Sequence, residues 1–289
     1  MQYDSGRDFW WLLLRPWIAI PRLIQVLWTL SGLVIVLLLR GSSSDADVQR
    51  GLARRILNTL TGLGPCFIKL GQALSTRPDL VRRDWLEELT RLQDDLPAFP
   101  HSIALSRIEQ ELGAPAEQLF EEFPSAPIAA ASLGQVYKAR LEGQSWVAVK
   151  VQRPNLTFIL RRDLVLIRAL GVLTAPFLPL NLGFGLGSII DEFGRSLFEE
   201  IDYEQEADNA ERFATLFADN PAVYVPRVER MLSSTHVLTT TWIEGSKMRN
   251  SQELIDQRLD PAALIRTGVI CGLQPVSYTH LTLPTIRSV

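Results

Sequence analysis

One lysine and one acidic segment contain the side chains of this sequence that could do chemistry together. Lys150 lies in the run WVAVKV, and carboxylates crowd the later run FEEIDYEQEADNAERF. A lysine ammonium binds phosphate oxygens best when a carboxylate holds it, because an unrestrained lysine side chain loses rotamer entropy on binding. The two runs therefore predict a phosphate site. A β-hairpin with an exposed lysine and a solvated acidic helix are the plainer alternatives, and local patterns leave both open.

The strand that carries Lys150 is predicted from its alternation. Every second residue is a valine, which places Val147, Val149 and Val151 on the core face. The opposite face carries Ala148, a small residue that can lie beside a nucleotide base, and Lys150, which would reach the α and β phosphates.

The loop before this strand departs from the usual phosphate-binding loop. A kinase-type loop reads GxGxxGxV, and its glycines let the backbone approach the phosphates closely. At the same spacing this chain has Ala129, Ala131, Gly134 and Val136. Because alanine is strained at positive φ and glycine is not, we expect a stiffer loop with altered phosphate contacts.

The acidic run is predicted to lie on one long helix from about residue 188 to residue 217. At helical spacing Asp202 and Glu206 share a face, whereas Glu200 lies well round from Glu206. Strands predicted over 221–228 and 235–242 complete a five-stranded antiparallel sheet. The segment WIEG, which contains Glu244, then leads to a second lobe. The predicted fold class is α+β, a protein-kinase-like N-lobe with a long αC-type helix.

Composition excludes several other classes of function. The chain has 289 residues, 47% of them hydrophobic, which suffices for one large domain or two lobes. Its net charge of −3 gives no basic surface, so we expect no nucleic-acid partner. Cys66 and Cys271 lack metal-ligand spacing and predict no zinc site or disulfide framework. His101, His236 and His280 have no partners at catalytic spacing.

The most hydrophobic stretch runs from Phe9 to Leu39 and contains four tryptophans and no acid. Its uncharged part, Leu23 to Leu39, has 17 residues. As a helix it would span about 26 Å, against about 30 Å for a bilayer core. We predict a membrane-associated or membrane-spanning helix in an intracellular protein. A buried or partner-packing helix and a signal peptide are the alternatives, and the polar linker GSSSDADV disfavours the signal peptide because it offers no cleavage site.

A helical extension is predicted between this stretch and the sheet. Helices are expected at 48–60, 78–92, 101–111 and 115–122, the second with an apolar stripe of Leu80, Trp85, Leu86 and Leu89. The extension also contains Lys69, Gly71 and Gln72 in a KxGQ arrangement. Taken alone, Lys69 is most simply a solvated lysine near a helix end.

Taken in order, the motifs resemble the UbiB/AarF family of atypical kinase-like proteins, which is associated with prenyl-quinone and prenyl-lipid metabolism. The resemblance covers roughly residues 48–273 and rests on KLGQ, AAASLGQV, VAVKVQRP, EIDYEQEADNAERF, VPRV and WIEG. It implies ATP or ADP with Mg²⁺ as cofactor. It also implies membrane lipid or prenyl-quinone intermediates, and proteins of lipid biosynthesis, as partners.

The resemblance also implies residue roles. Lys150 would pair with Glu206 as the catalytic clamp, and Glu200 with Asp202 would form an ExD element. Lys69, Gly71 and Gln72 would belong to a regulatory segment lying where a protein substrate would bind. The expected nucleotide contacts are Ala129, Ala130, Ala131, Ser132, Gly134, Val136, Ala148, Lys150 and Glu244.

The resemblance stops near Leu273. Neither an HxD catalytic loop with its metal-binding Asn nor a DFG-type Asp follows the helix predicted at 261–273, so we expect no metal ligands in this chain. The predicted divisions are a membrane-associated segment with its linker (1–47), the extension (48–127), the N-lobe (128–245), the start of a largely absent C-lobe (246–274) and a non-native tail (275–289).

These observations predict an atypical kinase or ATPase of the UbiB type, of which this chain is a catalytically incomplete fragment. One alternative is a non-catalytic pseudokinase scaffold or regulator that binds nucleotide, lipid or partner protein. A membrane adaptor that uses only the N-terminal helices is another.

Overall fold

A computed structural model describes residues 3–43, 45–78, 81–90, 97–143, 145–177, 185–245 and 260–282. Over these residues the chain is an α+β fold with one antiparallel sheet, as predicted. The strands are β1 Ala129–Ala130, β2 Gly134–Arg140, β3 Trp146–Gln152 and β4 Val237–Thr241. The helices are α1 Ser5–Leu13, α2 Pro16–Arg40, α3 Ala46–Leu63, α4 Pro65–Ser75, α5 Arg83–Thr90, α6 His101–Leu112, α7 Ala116–Leu119, α8 Leu156–Thr174, α9 Leu186–Glu200, α10 Tyr203–Leu216 and α11 Pro261–Thr282.

The sheet has the order β1-β2-β3-β4, and its register sets which residues share a face. Lys150 lies opposite Val136 on β2 and opposite Leu238 on β4. The other face buries the three alternating valines of β3 against α6 and α7, so the alternation predicted for this strand is confirmed. Lys150 therefore projects from the face that these helices leave uncovered.

The prediction of five strands is wrong for the described residues. The segment 221–228 contributes only an isolated bridge between Val228 and Thr240. Pro226 has no backbone N–H, and the N–H of Arg227 donates to the hydroxyl of Thr241 instead of to a strand partner. Two backbone hydrogen bonds join the segment to β4, from the N–H of Thr241 to the carbonyl of Arg227 and from the N–H of Glu229 to the carbonyl of Thr239, and they form the bridge without extending it into a strand.

The single long helix predicted over 188–217 is also wrong. Two helices, α9 and α10, occupy this stretch and are separated at Ile201 and Asp202. Asp202 has extended backbone angles, and its carboxylate accepts a hydrogen bond from the N–H of Gln205. This is N-cap geometry, so Asp202 begins a new helix and does not share the helical face of Glu206.

Other predicted helices differ mainly in their ends. The helix predicted over 78–92 is α5, and Leu80 of its predicted apolar stripe lies outside the described residues. The helix predicted to end at Leu273 is α11, which continues to Thr282. The helices predicted near 48–60 and 101–111 are confirmed as α3 and α6, and the one predicted at 115–122 is the shorter α7.

The helical extension packs on the side of the fold formed by α8 and α9. One apolar cluster joins Val26 of α2, Leu63 and Cys66 of the extension, Leu164 of α8 and Phe198 of α9. Because α4 takes part in the same cluster, its Lys69 is placed beside the end of α9.

Candidate functional site

The centre of the site is the ion pair between β3 and α10. The ammonium of Lys150 lies 2.9 Å from one carboxylate oxygen of Glu206 and 2.6 Å from the other. The cap at Asp202 fixes where α10 begins, and this places Glu206 in the first helical turn, facing the sheet. The structure thus brings the predicted pair together, and its catalytic role stays a prediction.

Tyr203 is a second contact of Lys150, and the sequence reasoning missed it. The ammonium lies 4.5 Å from the centroid of the Tyr203 ring, a cation–π distance. Tyr203 precedes Glu206 by three residues, and this helical spacing was the available signal. Its side chain is fully buried, and its hydroxyl has no hydrogen-bond partner among the described residues. Burial, with the negative charges of Glu206 and Glu200, raises the pKa of Tyr203 above its usual value, so the hydroxyl stays protonated.

Gly134 is required by close packing. A Cβ at this position would lie 2.7 Å from the carbonyl oxygen of Val151 and 2.8 Å from the Tyr203 hydroxyl oxygen. Its φ is not positive, so left-handed backbone does not explain the glycine. The one glycine kept from the usual loop is therefore the one that touches Tyr203 and β3.

Arg153 fixes the alanine-rich loop and was also missed. Its guanidinium donates to the carbonyl oxygens of Ala131, at 3.0 Å, and Pro97, at 2.7 Å. Its backbone N–H donates to the carbonyl of Leu133, and the N–H of Ala131 donates to the carbonyl of Gly134. The loop is therefore hydrogen-bonded to Arg153 and across its own turn, and its stiffness stays a prediction.

A pocket of about 130 Å³ lies under this loop. Lys69 of α4 and Glu200 of α9 form an ion pair on its wall. The site residues of the loop and sheet that line it are Ala131, Ser132, Gly134, Val136 and Lys150.

The remaining predicted site residues lie elsewhere. Ala129 and Ala130 form β1, and Ala148 lies on the Lys150 face opposite Lys138. Gly71 is buried in α4 and Gln72 follows it, outside the pocket lining. Asp202 caps α10.

Glu244 belongs to a different cluster on the same face of the sheet. Its carboxylate accepts from the Lys138 ammonium at 2.9 Å and from the Trp242 indole N–H at 2.6 Å. The Lys138 ammonium also lies 4.6 Å from the Trp242 ring and 5.1 Å from the Trp146 ring. The bonds from Lys138 and then Trp242 lower the pKa of Glu244. The structure does not bring Glu244 to the pocket.

The side chains in the pocket that can donate hydrogen bonds suit a phosphate group as ligand. Two ammonium groups, Lys69 and Lys150, face it, and the buried Ser132 hydroxyl has no hydrogen-bond partner among the described residues. The volume is below the roughly 300–1,000 Å³ of ordinary ligand pockets, and it suits a phosphate group better than a whole nucleotide. Across the described ranges no three His, Cys, Asp or Glu side chains cluster to hold a metal.

Comparison with known proteins settles the family. A model of the ABC1 atypical kinase-like domain matches residues 91–281. The chain belongs to this ABC1 family. One Arabidopsis thaliana relative is named as an aarF domain-containing protein kinase, so the resemblance to the UbiB/AarF family is confirmed.

Several curated ABC1 relatives are longer than this chain. An uncharacterised protein of Synechocystis sp. is 46% identical over 90% of this chain and 46% of its own length. The chloroplastic ACTIVITY OF BC1 COMPLEX KINASE 1 of Arabidopsis thaliana is 42% identical over 88% of this chain and 38% of its own length. The chain thus spans less than half the length of these relatives. Among solved structures, the Rv3197–erythromycin complex from Mycobacterium tuberculosis matches with 33% identity, over 70% of this chain and 51% of that one, at a TM-score of 0.46.

Proposed function

We propose that this chain supplies the nucleotide-binding lobe of an atypical kinase or ATPase of the UbiB type, which acts in prenyl-quinone or prenyl-lipid metabolism at a membrane. The observation that carries the proposal is the two-oxygen clamp of Glu206 on Lys150, beside a pocket with a second ammonium at Lys69. An ammonium fixed in this way needs little further ordering when a phosphate arrives.

In this proposal Lys150 binds the α and β phosphates of ATP, and Glu206 fixes the direction of its ammonium. The Ser132 hydroxyl donates a hydrogen bond to a phosphate oxygen. It is buried and has no other hydrogen-bond partner among the described residues, so this bond would satisfy it. Mg²⁺, held by ligands outside the described residues, would neutralise phosphate charge. Arg153 and Tyr203 position the loop and the lysine without touching the nucleotide.

The Lys69–Glu200 pair restrains this site. It lies on the wall of a pocket too small for a whole nucleotide, so ATP would have to displace the pair or use space beside it. A restrained pocket of this kind favours slow turnover. The same observation supports the second candidate, a non-catalytic pseudokinase that binds a nucleotide or another phosphate ligand without reacting it.

The membrane part of the proposal rests on α2. This helix has 25 residues and is long and apolar enough to cross a bilayer. Binding of the full chain to lipid vesicles tests this role.

ATP hydrolysis by the intact parent protein separates the two candidates. We expect Mg²⁺-dependent nucleotide binding and hydrolysis in the wild type, and loss of both in Lys150→Ala. Arg195→Ala is the control, since Arg195 forms an exposed pair with Glu192 inside one helix, away from the pocket. Hydrolysis that survives Lys150→Ala unchanged would defeat the enzyme proposal. Nucleotide binding without hydrolysis would favour the pseudokinase.

A further inference from the structure

The side of α2 that faces away from the domain is an exposed apolar surface. Arg22, Val26 and Leu33 mark the buried side of the helix. The opposite side, here called the outer face, is formed by Trp17, Ile20, Ile24, Leu27, Trp28, Ile35, Leu38 and Leu39. Trp28 alone is 82% exposed. Contiguous apolar patches of this kind on a monomer mark a surface that binds something.

The buried side of α2 is attached to the rest of the fold at both ends of the helix. Near its start the Arg22 guanidinium donates to the two carboxylate oxygens of Asp163 on α8, at 3.0 and 2.7 Å. Beyond its end the Gln49 amide of α3 donates to the carbonyl oxygens of Gly41 and Ser43. Insertion of α2 into a membrane without the domain would break this buried ion pair, which is costly.

A spanning orientation conflicts with the partner helix α3. This helix packs against α2 and carries the exposed charged side chains of Asp47, Arg50 and Arg54. If α2 crossed the bilayer while attached, these charges would enter the hydrocarbon core, where each is costly. An orientation in the membrane plane keeps α3 in water and immerses only the outer face.

The charge of residues 9–43 indicates which lipid headgroups the surface would bind. The charged residues from Phe9 to Ser43 are Arg15, Arg22 and Arg40, and no acid lies among them. Arg22 is buried and paired with Asp163, so the positive charge that a membrane would meet is that of Arg15 and Arg40, at the two ends of α2. Exposed tryptophans beside arginines suit the headgroup region, since the indole has an apolar body and a polar N–H. Anionic headgroups would match the positive charge.

We propose that the outer face of α2, with the exposed side chains of Trp10 on α1 and of Leu14 just after it, lies flat in the headgroup region of an anionic membrane while the domain stays attached above it. This inference rests on the membrane role proposed for the chain and deepens it by naming the surface, the orientation and the lipid charge. It commits to a lipid surface and not to a second copy of the chain.

The test uses the full chain with vesicles of phosphatidylcholine alone or mixed with phosphatidylglycerol. We expect stronger binding to the mixed vesicles in a flotation assay. Tryptophan fluorescence should be quenched more by lipids brominated near the headgroup than by lipids brominated near the chain ends. Equal or stronger quenching by the deep bromines overturns the flat orientation and leaves the membrane role standing. Failure to bind either vesicle overturns both, and nucleotide binding, measured separately, is unaffected.

Substitution of exposed tryptophans identifies the surface. Trp17→Ser and Trp28→Ser should each weaken vesicle binding about tenfold, because each removes a large apolar contact with the membrane. Tyr224→Ser is the matched control, an aromatic residue 70% exposed elsewhere in the chain, and should bind like the wild type. Thermal unfolding followed by circular dichroism checks that the variants stay folded.

Two results of these substitutions contradict the proposal. One is vesicle binding that survives Trp17→Ser and Trp28→Ser unchanged. The other is a soluble dimer, seen by light scattering, that the same substitutions dissociate, because a second copy would then be the occupant of the outer face.

Discussion

Two acid–base pairs, one beneath α2 and one over the pocket, differ in how much solvent reaches them. The side chains of Arg22 and Asp163 are 9% and 0% exposed, and Arg22 also donates to the carbonyl of Leu63. The side chains of Lys150 and Glu206 are 32% and 41% exposed. Both pairs use two oxygens of one carboxylate.

The difference separates a pair that joins two helices from a pair that a ligand can reach. A charged side chain that is buried without its partner destabilises the folded state. The Arg22–Asp163 pair therefore holds α2 against α8. A half-exposed pair contributes little to stability, because water screens it, and an incoming phosphate can replace part of it. Burial thus indicates that the first pair joins helices and the second is available to a ligand.

The largest expected effect comes from breaking the buried pair. Asp163→Asn should lower the free energy of unfolding by about 3–5 kcal/mol, because it leaves the Arg22 charge buried without a counter-charge. Urea unfolding followed by circular dichroism measures this. Glu206→Gln is the matched control and should cost about 1 kcal/mol or less. Equal costs for the two variants would remove the distinction between the pairs.

Breaking the pocket pair should affect ligand binding instead. Glu206→Gln should weaken the binding of Mg²⁺–ATP about 10- to 100-fold, since it removes a charge-assisted hydrogen bond that fixes Lys150. Titration calorimetry gives the affinity. Asp191→Asn, which disrupts a pair on the far side of α9, serves as the control, and an equal loss there would mean that the effect is global.

Tyr203 lies on the buried side of the pocket pair, where its ring contacts the Lys150 ammonium. Tyr203→Leu should cost about 2–4 kcal/mol, since it removes a ring that packs in the core and contacts the Lys150 ammonium. Tyr203→Phe should change stability by less than about 1 kcal/mol, because the hydroxyl that it removes is unpaired among the described residues. A large loss in Tyr203→Phe would reveal a hydrogen bond of that hydroxyl.

The smallest effect concerns a third pair of intermediate burial, Arg168–Asp191. Burial alone would raise the pKa of Asp191, but hydrogen bonds from Arg168 and the Tyr3 hydroxyl lower it below its usual value. The folded pKa is thus below the unfolded one, so the contribution is present above about pH 4 and is lost as the pH falls through the folded pKa. Asp191→Asn should reduce the stability difference between neutral and acidic pH slightly. A larger pH dependence in the variant would contradict this sign.

The sequence predicted the residues of the pocket better than their surroundings. The alternation of WVAVKV was enough to place Lys150 on the uncovered face, because strand periodicity is a local property. The ordered motifs were enough to identify the family and so the Lys150–Glu206 contact. Lys69 beside Glu200 had no local signal, since the two residues lie on distant helices.

The errors have physical causes that hydrophobic periodicity does not contain. Asp202 can cap a helix or continue one, and helical periodicity does not show that α9 ends before it. Residues 221–228 look like a strand until the missing donor of Pro226 and the side-chain bond of Arg227 are considered. Arg22 lies within the apolar stretch and its partner Asp163 lies on a helix far along the chain, so no local pattern predicts their contact.

The most direct test of the central claim, that the Lys150 pocket binds the phosphates of a nucleotide, is calorimetric titration of the chain with Mg²⁺–ATP. The account predicts that the wild type binds Mg²⁺–ATP and that Lys150→Ala binds it at least about tenfold more weakly. Tenfold is the loss of affinity expected when one charge-assisted hydrogen bond to the ligand is removed. Lys150→Ala should melt within a few degrees of the wild type, because its ion pair is half-exposed. Unchanged affinity in a folded Lys150→Ala protein would place any nucleotide elsewhere and contradict the claim.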